Sequence, residues 1–572
     1  MPRIIQRKPD SSALIALSEL PLILRRIYSA RGVSQPAELD LGLAHLLPFS
    51  NLKGIEQAVA VLKSALIGQK RILIVGDFDA DGATSSALAV RVLTAMGARE
   101  VDYLVPNRFK FGYGLTPEIV EVAEQRSPDL IITVDNGISS IDGVAAAKQA
   151  GMQVLVTDHH LAGHELPQAD AIVNPNQPGC NFAGKNTAGV GVIFYVLAAL
   201  RNALRESRWF ESQNLPEPNI ADYLDLLALG TVADVVPLDR NNRILVEQGL
   251  RRIRAGKACP GVNALLQISG KDPAKLVASD LGFALGPRLN AAGRLDDMSL
   301  GIECLLADTP ERAYELAQRL DSLNSSRKDI EADMKQQAMD ALASLDVKDH
   351  QVGMSLYDPE WHQGVIGILA SRIKDRFHRP VIAFADAADG EIKGSARSIK
   401  GFHIRDALDA IAKQHPTLLQ KFGGHAMAAG LAIKKKDFDA FSGAFNQLAS
   451  QWLSRDQLAE EIRTDGALDH QDFTLDLAYQ LRRAGPWGQG FPEPAFVGEF
   501  IVLEQRLVGE KHLKLKLASD DSGLAIEAIA FFVDLEKWPN SAKKVKLVYR
   551  LEVNEFRGME TPQLMVEYLE AI

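Results

Sequence analysis

The stretch RILIVGDFDADGATSS, residues 71–86, places an apolar run directly before three aspartates at alternate positions, Asp77, Asp79 and Asp81. Together with Gly82 these aspartates fit the first half of an EF-hand calcium loop. That interpretation fails because the bidentate glutamate of the loop would have to stand at Leu88, and because the residues before Asp77 are typical of a buried strand. The stretch therefore predicts a buried strand that ends in an acidic turn.

Four further apolar runs between about residues 70 and 175 have the same design: VDYLVPN, DLIITVDNG, QVLVTDHH and ADAIVNPN. Short buried strands that alternate with helical stretches predict an α/β domain with a parallel sheet. Ligands of such sheets bind at the carboxyl ends of the strands. We therefore expect the polar residues that follow three of the runs to converge at one edge: Asp77, Asp79, Asp81, Asp135, Asp158, His159 and His160.

A cluster of carboxylates is costly without cations, because like charges repel and because burial removes their hydration. The expected cluster therefore indicates divalent metal, and imidazole mixed with carboxylate favours Mn²⁺ over Ca²⁺, with Mg²⁺ as the other candidate. Asp234, in LALGTVADVVPL, follows an apolar helix and could complete a two-metal site. Taken alone, Asp234 would be a helix cap or a turn residue.

The composition limits the classes of protein. A length of 572 residues predicts three or four domains, and 47% hydrophobic residues without a long apolar run indicate an ordinary globular protein. The start MPRIIQRKPDSS lacks the apolar segment of a secretory signal, so we expect a cytoplasmic protein. A net charge of −10 argues against indiscriminate coating of nucleic acid, but it leaves room for a local basic channel.

The pattern changes along the rest of the chain. Residues 188–340 are helical in pattern and end in a long helix, which could either connect two lobes or pack as an ordinary helix. VGMSLY, VIGILASRIKDRF and PVIAFAD predict a second α/β domain. Beyond about residue 465 the alternation in HLKLKL and KKVKLVYRLEV predicts a small β-barrel of the oligonucleotide-binding type; the alternative is a solvated basic sheet face. The basic face would carry His512, Lys514, Lys516, Lys544, Lys546 and Arg550.

The motifs VGDFDADGATS, TVDNG, TDHH and GTVADVVPL occur in this order and resemble the four motifs of the DHH phosphoesterase superfamily. GPRLNAAGR, WHQGVIGILASR, GSARS and GGHAMAAG resemble the linker and the DHH-associated domain of its bacterial RecJ branch. The first motif has Val75 and Asp77 where many small-substrate members carry a histidine. The resemblance extends over about residues 45–572. It implies an N-terminal extension (1–45), a DHH catalytic domain (46–260), a helical linker (261–344), a DHH-associated nucleic-acid-binding domain (345–455) and an OB-fold domain (462–572).

The resemblance also implies an activity. The family members are single-stranded-DNA-specific exonucleases that work from the 5′ end, release 5′-mononucleotides by two-metal hydrolysis, and serve DNA recombination and repair. Asp135 would bridge two metal ions, with Asp79 on one side and Asp81, His159 and Asp234 on the other. Asp77 is a further candidate ligand, Asp158 would orient a histidine, and His160 would contact the scissile phosphate or move a proton.

Candidate DNA-binding residues follow from the same motifs: Arg108, Arg288, His362, Gln363, Ser395, Arg397, Gly424 and His425. GGHAMAAG has two interpretations, a tight turn into a helix or a loop through which phosphate oxygens approach backbone N–H groups. Arginines with hydroxyl donors suit a terminal phosphate, and Arg397 with Ser395 is the preferred pair. The alternative for each arginine is a structural ion pair or a contact to an internal phosphate.

Two other functions are weighed against the exonuclease. A small-substrate phosphoesterase would not need a barrel of about 100 residues to follow a strand. A non-catalytic nucleic-acid scaffold should lack ligands, whereas here all the main carboxylates and both histidines are present. The resemblance implies single-stranded DNA as substrate, with single-strand-binding protein and a RecQ-type helicase as partners, and we expect a monomer.

Overall fold

The computed structural model describes residues 2–106, 114–344, 351–387, 390–419, 421–509, 512–519, 525–533, 538 and 542–572. The chain forms two compact units, one made of Met1–Ile5 with Ser322–Ile462 and the other of Gln6–Asp321 with Arg463–Ile572. Within the described ranges, none of the helices combines the length and the apolar character needed to cross a membrane.

The described part of the first third of the chain contains six strands and seven α-helices. In chain order they are β1 (Arg3–Gln6), α1 (Ser11–Ala16), α2 (Leu22–Ser29), α3 (Ile55–Ile67), β2 (Ile72–Gly76), α4 (Ala80–Ala95), β3 (Val101–Leu104), α5 (Pro117–Glu124), β4 (Leu130–Val134), α6 (Ile141–Gln149), β5 (Gln153–Thr157), β6 (Ala171–Val173) and α7 (Gly189–Glu206).

The catalytic-domain sheet has five strands in the order β3-β2-β4-β5-β6, and every pair is parallel. Leu73, Val75 and Val154 pack against α5 and α6 on one face, while α3, α4 and α7 cover the other. β2 and β4 are apolar except for Thr133, because both of their faces are buried. Val75 pairs with Thr133, and Thr133 with Val156, so the carboxyl ends of β2, β4 and β5 lie level.

Helices fill residues 209–344. They are α8 (Trp209–Ser212), α9 (Leu224–Ala233), α10 (Arg240–Arg254), α11 (Pro260–Ile268), α12 (Ala278–Asp280), a π-helical turn (Leu281–Leu285), α13 (Gly286–Leu295), α14 (Ser299–Leu306) and α15 (Pro310–Ser344). The predicted helical region is confirmed. The boundary between the compact units falls inside α15, at Asp321/Ser322.

The second α/β domain contains β7 (Met354–Tyr357), α16 (Ile366–Phe377), β8 (Val381–Asp386), β9 (Glu391–Arg397), α17 (Ile404–Gln414), β10 (Lys421–Gly424), β11 (Ala428–Lys434) and α18 (Phe438–Trp452). Its sheet has the order β10-β11-β9-β8-β7, and α17 and α18 supply Leu408, Phe441 and Phe445 to the core. Of the two interpretations of GGHAMAAG, the tight turn into a helix does not occur, because these residues form the hairpin between β10 and β11.

The last segment contains β12 (Glu461–Thr464), α19 (Leu475–Arg483), β13 (Phe496–Val508), β14 (His512–Ala518), β15 (Ala525–Ala530), β16 (Lys544–Phe556) and β17 (Met559–Ala571). β12 pairs with β1, and the other strands close a barrel in the order β13-β14-β15-β17-β16. Leu513, Leu515 and Leu547 point into the barrel, as their alternation predicts. The predicted α/β fold with a C-terminal β-barrel is confirmed.

Candidate functional site

The residues directly after three neighbouring strands come together at one edge of the catalytic-domain sheet. Asp77 follows β2, Asp135 follows β4 and Asp158 follows β5. Potential ligand atoms lie within 4.8 Å of one another in three overlapping groups: Asp77, Asp79 and Asp135; Asp81, His159 and Asp234; and Asp135, His159 and His160. The convergence expected from parallel strands therefore exists in the fold, and Asp234 joins it from the end of α9.

Asp135 lies at the centre in a strained conformation. Its φ is +61°, a left-handed value that aspartate tolerates better than most residues. The Asn136 side chain donates to the carbonyl oxygens of Val75 and Val134, which ties the ends of β2 and β4 together. A Cβ at Gly189, on α7, would lie only 2.6 Å from Asp135 Oδ1. Position 189 therefore requires glycine, a constraint that sequence reasoning missed because AGVGV is typical of an ordinary helix.

The start of α4 holds the next two carboxylates. Asp79 caps this helix, and its Oδ1 accepts a hydrogen bond from Gly82 N at 3.0 Å. Both oxygens of the buried Asp81 accept hydrogen bonds from the first turn of α7, from Gly189 N at 2.7 Å and Val190 N at 2.9 Å. Helix N-termini favour negative charge. The two helix starts thus stabilise carboxylates that would otherwise only repel one another.

A further residue holds this loop from the linker. Asn290, on α13, accepts a hydrogen bond from Ala80 N at 2.8 Å through Oδ1. A Cβ at Gly293 would lie 1.8 Å from the carbonyl oxygen of Phe78, so α13 approaches the loop too closely for any other residue there. Both residues occur in the motif GPRLNAAGR, but sequence reasoning missed this role, and only their contacts reveal it.

Asp158 and the two histidines form a hydrogen-bonded turn. Asp158 Oδ1 accepts from the backbone of His159 at 2.7 Å and lies 2.7 Å from His160 Nδ1. Asn176 donates to the carbonyl oxygen of His159, and Asn174 donates to that of His160. Sequence reasoning placed NPN in a polar turn but missed this support; the signal was its position after β6, the next strand of the sheet.

His159 faces the carboxylates. Its Nε2 lies 3.1 Å from Asp135 Oδ1 and 3.5 Å from Asp234 Oδ2, and neither approach has hydrogen-bond geometry. The buried Asp234 Oδ2 likewise makes no hydrogen bond to any residue that the structure describes. Buried polar atoms are normally satisfied, so atoms of this kind indicate a missing partner.

Burial and like charges raise the pKa of the central carboxyls. Burial first, and then the Asp234 charge, raise the pKa of Asp81 to about 7. Burial and the Asp79 charge raise the pKa of Asp234 to about 7, and burial with the surrounding aspartates raises the pKa of Asp135 well above its usual range. The site therefore holds more negative charge than the protein itself compensates.

The Asp158–His160 pair behaves in the opposite way. Burial alone would raise the pKa of Asp158, but hydrogen bonding to His160 outweighs it and lowers the value. Burial would also lower the pKa of His160, yet Asp158 raises it to about 9. The pKa of His159 is lowered, mainly by burial and then by the charge of His160. At neutral pH the site thus offers a neutral imidazole at His159 and a cationic one at His160.

These properties fit divalent cations. Carboxylate oxygens with one neutral imidazole are a donor set that suits Mn²⁺ and Mg²⁺. Cations between the three groups would offset the repulsion among Asp77, Asp81, Asp135 and Asp234 and would supply the partner that His159 Nε2 and Asp234 Oδ2 lack.

The compact unit that contains Ser322–Ile462 brings Ser395 and Arg397 together on β9. Arg397 Nη1 donates to Ser395 Oγ at 3.1 Å and to the carbonyl oxygen of Ala396 at 2.8 Å. A Cβ at Gly367 would lie 2.8 Å from Arg397 Nη2 and 2.9 Å from Ser395 Oγ. The guanidinium and the hydroxyl therefore lie against the first turn of α16, where backbone N–H groups favour anions.

The other DNA-binding candidates vary in position. His362 Nδ1 accepts from Gly364 N at 3.0 Å, and Gln363 donates to the carbonyl oxygen of Asp386 at 2.7 Å. Gly424, with φ +140°, and His425 form the hairpin between β10 and β11. Arg288 lies 2.9 Å from Asp321 and donates to the carbonyl oxygen of Ala284, the structural ion pair that was its alternative. Arg108 lies outside the described residues.

The basic face expected on the barrel is smaller in the structure. Lys514 pairs with Glu527 at 2.8 Å. Arg550 lies among Glu493, Glu552 and Glu567 and is not part of a basic surface. Lys516 and Lys544 are exposed. The predicted basic face was wrong for Arg550 because strand alternation does not reveal which carboxylates stand on neighbouring strands.

Comparison with known proteins finds matches to three domain families along the chain. Family models match the DHH family N-terminal domain at residues 71–231, the DHHA1 domain at 349–451 and the RecJ OB domain at 464–568. The chain is 56% identical over 568 residues to the single-stranded-DNA-specific exonuclease RecJ of Dickeya dadantii, with 99% of this chain and 98% of that protein covered.

Solved structures agree with the sequence comparison. The crystal structure of RecJ from Thermus thermophilus in complex with Mn²⁺ is 30% identical, with a TM-score of 0.81 and coverage of 99% of this chain and 79% of that chain. The Mg²⁺ complex from the same organism is 29% identical, with a TM-score of 0.75 and coverage of 99% and 78%. With its DHH, DHHA1 and OB domains, the chain belongs to the RecJ family of single-stranded-DNA-specific exonucleases.

Proposed function

We propose that this chain degrades single-stranded DNA from the 5′ end by metal-dependent hydrolysis and releases 5′-mononucleotides. The observation that carries the proposal is the convergence of Asp77, Asp79, Asp81, Asp135, Asp234 and His159 in one buried cluster whose negative charge the protein does not balance. The proposed substrate and the proposed direction of degradation are inferred from membership of the RecJ family. We also propose the domain borders that were expected from the sequence.

Two divalent ions, Mn²⁺ or Mg²⁺, are proposed to occupy the cluster. Asp77, Asp79 and Asp135 would hold one, and Asp81, His159 and Asp234 the other, with Asp135 and His159 belonging to more than one of the three groups. When bound, such a pair activates water and stabilises negative charge on phosphorus. The neutral form of His159, favoured by its lowered pKa, is the form that ligates metal.

His160 is proposed to act on the substrate. Its Nδ1 faces Asp158, so its Nε2 is the nitrogen that can donate to a phosphate oxygen. The pKa of about 9 keeps the ring cationic at neutral pH, which favours binding of an anionic phosphodiester and allows the ring to donate a proton. Asp158 is proposed to orient the ring through their hydrogen bond, and it belongs to none of the three groups of potential ligands.

Ser395 and Arg397 are proposed to recognise the 5′-terminal phosphate. A terminal phosphate carries more charge and more unshared oxygens than a bridging one, which suits a guanidinium, a hydroxyl and the N–H groups of a helix start. His362, Gln363, Gly424, His425 and Arg288 are proposed to contact the strand elsewhere, and Arg108 keeps its place among the candidates from its motif alone.

The barrel is proposed to bind the strand away from the metal cluster. Its exposed lysines Lys516 and Lys544 and its exposed aromatic rings at Phe531 and Phe532 are the groups that attract and stack single strands. We further propose a cytoplasmic location, action in recombination and repair, and single-strand-binding protein and a RecQ-type helicase as partners. Family membership supports these last points.

The test uses purified full-length protein with Mn²⁺ and strands of about 30 nucleotides, labelled at either end. We expect mononucleotides from the 5′ end of single strands, and little cleavage of blunt duplex, a dinucleotide or pyrophosphate. Faster turnover of the dinucleotide or pyrophosphate would favour a small-substrate phosphoesterase. Metal binding without any turnover would favour a scaffold.

A further inference from the structure

Phe283 is the most exposed large apolar side chain among the described residues, at 86% exposure. It lies in the π-helical turn Leu281–Leu285, directly before α13. Turns of this kind are rare in proteins and concentrate at functional sites. An exposed phenylalanine in such a turn is therefore a candidate for contact with a ligand.

The π-helical turn packs against the end of α9 that carries Asp234. A Cβ at Gly282 would lie 3.2 Å from Val232 Cγ1, and one at Gly286 would lie 3.1 Å from Ala233 Cβ. Phe283 is adjacent to the first of these close approaches and one helical turn, roughly 5 Å along the axis, from the second. The turn that carries Phe283 therefore lies against the helix end that carries Asp234.

Val235, directly after Asp234, is also exposed, at 63%, and it has φ +64°. A β-branched residue in the left-handed region is strained, and such strain is typical of functional sites. Val235 and Phe283 line the same cavity of about 890 Å³, which α9, α10, α19 and the barrel enclose within one compact unit.

The lining of this cavity carries five carboxylates and five cations among the described residues, and two of its arginines lie outside the ion pairs. Its carboxylates have partners: Glu247 lies beside Arg251 and Arg254, Asp280 beside Lys271, and the other three surround Arg550, namely Glu493, Glu552 and Glu567. Arg482 and Arg483, on α19, also line the cavity, and neither lies within ion-pair distance of a carboxylate in the part of the chain that the structure describes.

We propose that Phe283 is a stacking platform for one nucleobase of the strand held at the carboxylate cluster, with Val235 beside the base and Arg482 and Arg483 toward its phosphates. The inference rests on the proposed function, and it adds a base-binding subsite in the linker. An aromatic face accepts every base, so the subsite adds affinity for unpaired nucleotides without selecting a sequence. A base inside a duplex is already stacked and paired, so the subsite favours single strands.

The test measures binding of 3′-fluorescein-labelled, 5′-phosphorylated strands in the Asp135→Asn background, where the strand survives. Phe283→Ala should weaken binding by about 5- to 100-fold, the range found for loss of one base–aromatic stack. Phe283→Trp should retain nearly full affinity. Phe532→Ala is the comparison variant, because Phe532 is likewise an exposed phenylalanine, at 77%. Its ring in the barrel is proposed to stack another part of the strand, so this variant should also weaken binding but at a different position of the strand.

Strands with one abasic residue, moved from the 5′ end inward, locate the subsite. At one position the abasic residue should weaken binding to the parent protein but should not weaken binding to Phe283→Ala any further. In Phe532→Ala, the loss from the substitution and the loss from the abasic residue at that position should add. Losses that add to Phe283→Ala at every position, or unchanged binding by Phe283→Ala, would overturn the subsite alone. Absence of strand binding by the parent protein would overturn the proposed function, and the subsite with it.

Discussion

Two regions of the same compact unit bury charge in opposite ways. At the junction between α2 and the start of the barrel segment, Arg31 and Asp465 form a bidentate ion pair, with side chains 1% and 0% exposed. Arg7 and Ala495 N also contact Asp465, so each carboxylate oxygen has partners. The carboxylate cluster buries Asp77, Asp81 and Asp135 at similar depth, yet burial and then repulsion raise the pKa of Asp81 and Asp135.

The difference separates structural from functional burial. At the junction, groups of the protein itself pair both oxygens of the Asp465 carboxylate. Arg31 also lies over Trp487, which stacks on Phe491 at 5.1 Å. The junction therefore requires no bound ion. Among the described residues the cluster offers no hydrogen bond to His159 Nε2 or Asp234 Oδ2, and it keeps Asp135 in a strained conformation. A region of this kind stores an electrostatic cost that a bound cation relieves.

Replacing the central carboxylate should separate activity from stability. Asp135→Asn keeps a side chain that tolerates φ +61° but removes the charge shared between the groups. We expect turnover of single strands with saturating Mn²⁺ to fall by at least about 10³-fold, since metal stabilisation contributes several kcal/mol. The melting temperature of the metal-free variant should stay level or rise. Turnover close to that of the parent protein would contradict the assignment of Asp135.

Breaking the junction should have the reverse effect. Asp465→Ala leaves Arg31 buried without its carboxylate and should destabilise this unit by about 3–5 kcal/mol, measured by urea unfolding. kcat of the folded protein should not change. Arg126→Ala, which breaks the exposed pair with Asp102, is the control and should cost less than about 1 kcal/mol. Equal losses in the two variants would mean that the junction does not differ from a surface pair.

The unbalanced cluster should also make metal binding depend on pH. Because the pKa values of Asp81 and Asp234 are raised to about 7, their protonated forms stabilise the metal-free fold, and this contribution is lost as the pH rises through 7. Metal requires the ionised forms. Mn²⁺ at about 100-fold above its Kd at pH 8 should therefore raise the free energy of unfolding by about 3 kcal/mol at that pH. The same Mn²⁺ concentration should raise it clearly less at pH 6. Thermal melts with Mn²⁺ and with chelator measure the gain, and identical gains at both pH values would refute the raised pKa values.

Replacing Arg397 should have the smallest effect of these changes, because it removes one proposed contact to the substrate and no proposed metal ligand. Arg397→Ala should weaken transition-state binding of 5′-phosphorylated strands by about 1.5–3 kcal/mol, the strength of a charged hydrogen bond. Strands with a 5′-hydroxyl should lose much less. The measurement is kcat/KM on matched strands of about 30 nucleotides at fixed salt. Equal losses on both substrates would make Arg397 a general backbone contact and move end recognition to Arg108 or Arg288.

Local sequence was sufficient for the strands and for most of the cluster. Apolar runs such as ILIVG form buried parallel strands, and because the ends of parallel strands lie level, Asp77, Asp135 and Asp158 had to meet at one edge. The alternation of HLKLKL likewise predicted which leucines fill the barrel. These features depend on periodicity and strand direction, both of which are local properties of the chain.

Contacts between distant segments were decided only by the tertiary structure. Nothing near Asn290 or Gly189 in the sequence indicates that they meet Ala80 N and Asp135, 210 and 54 positions away respectively. Arg550 pairs with carboxylates and does not join a basic face, and Arg31 is buried against Asp465. Both outcomes depend on how strands and helices pack after they form. The chain itself therefore determined which groups carry the chemistry. Packing determined which charges stay unbalanced, because electrostatic balance depends on distances that local sequence does not encode.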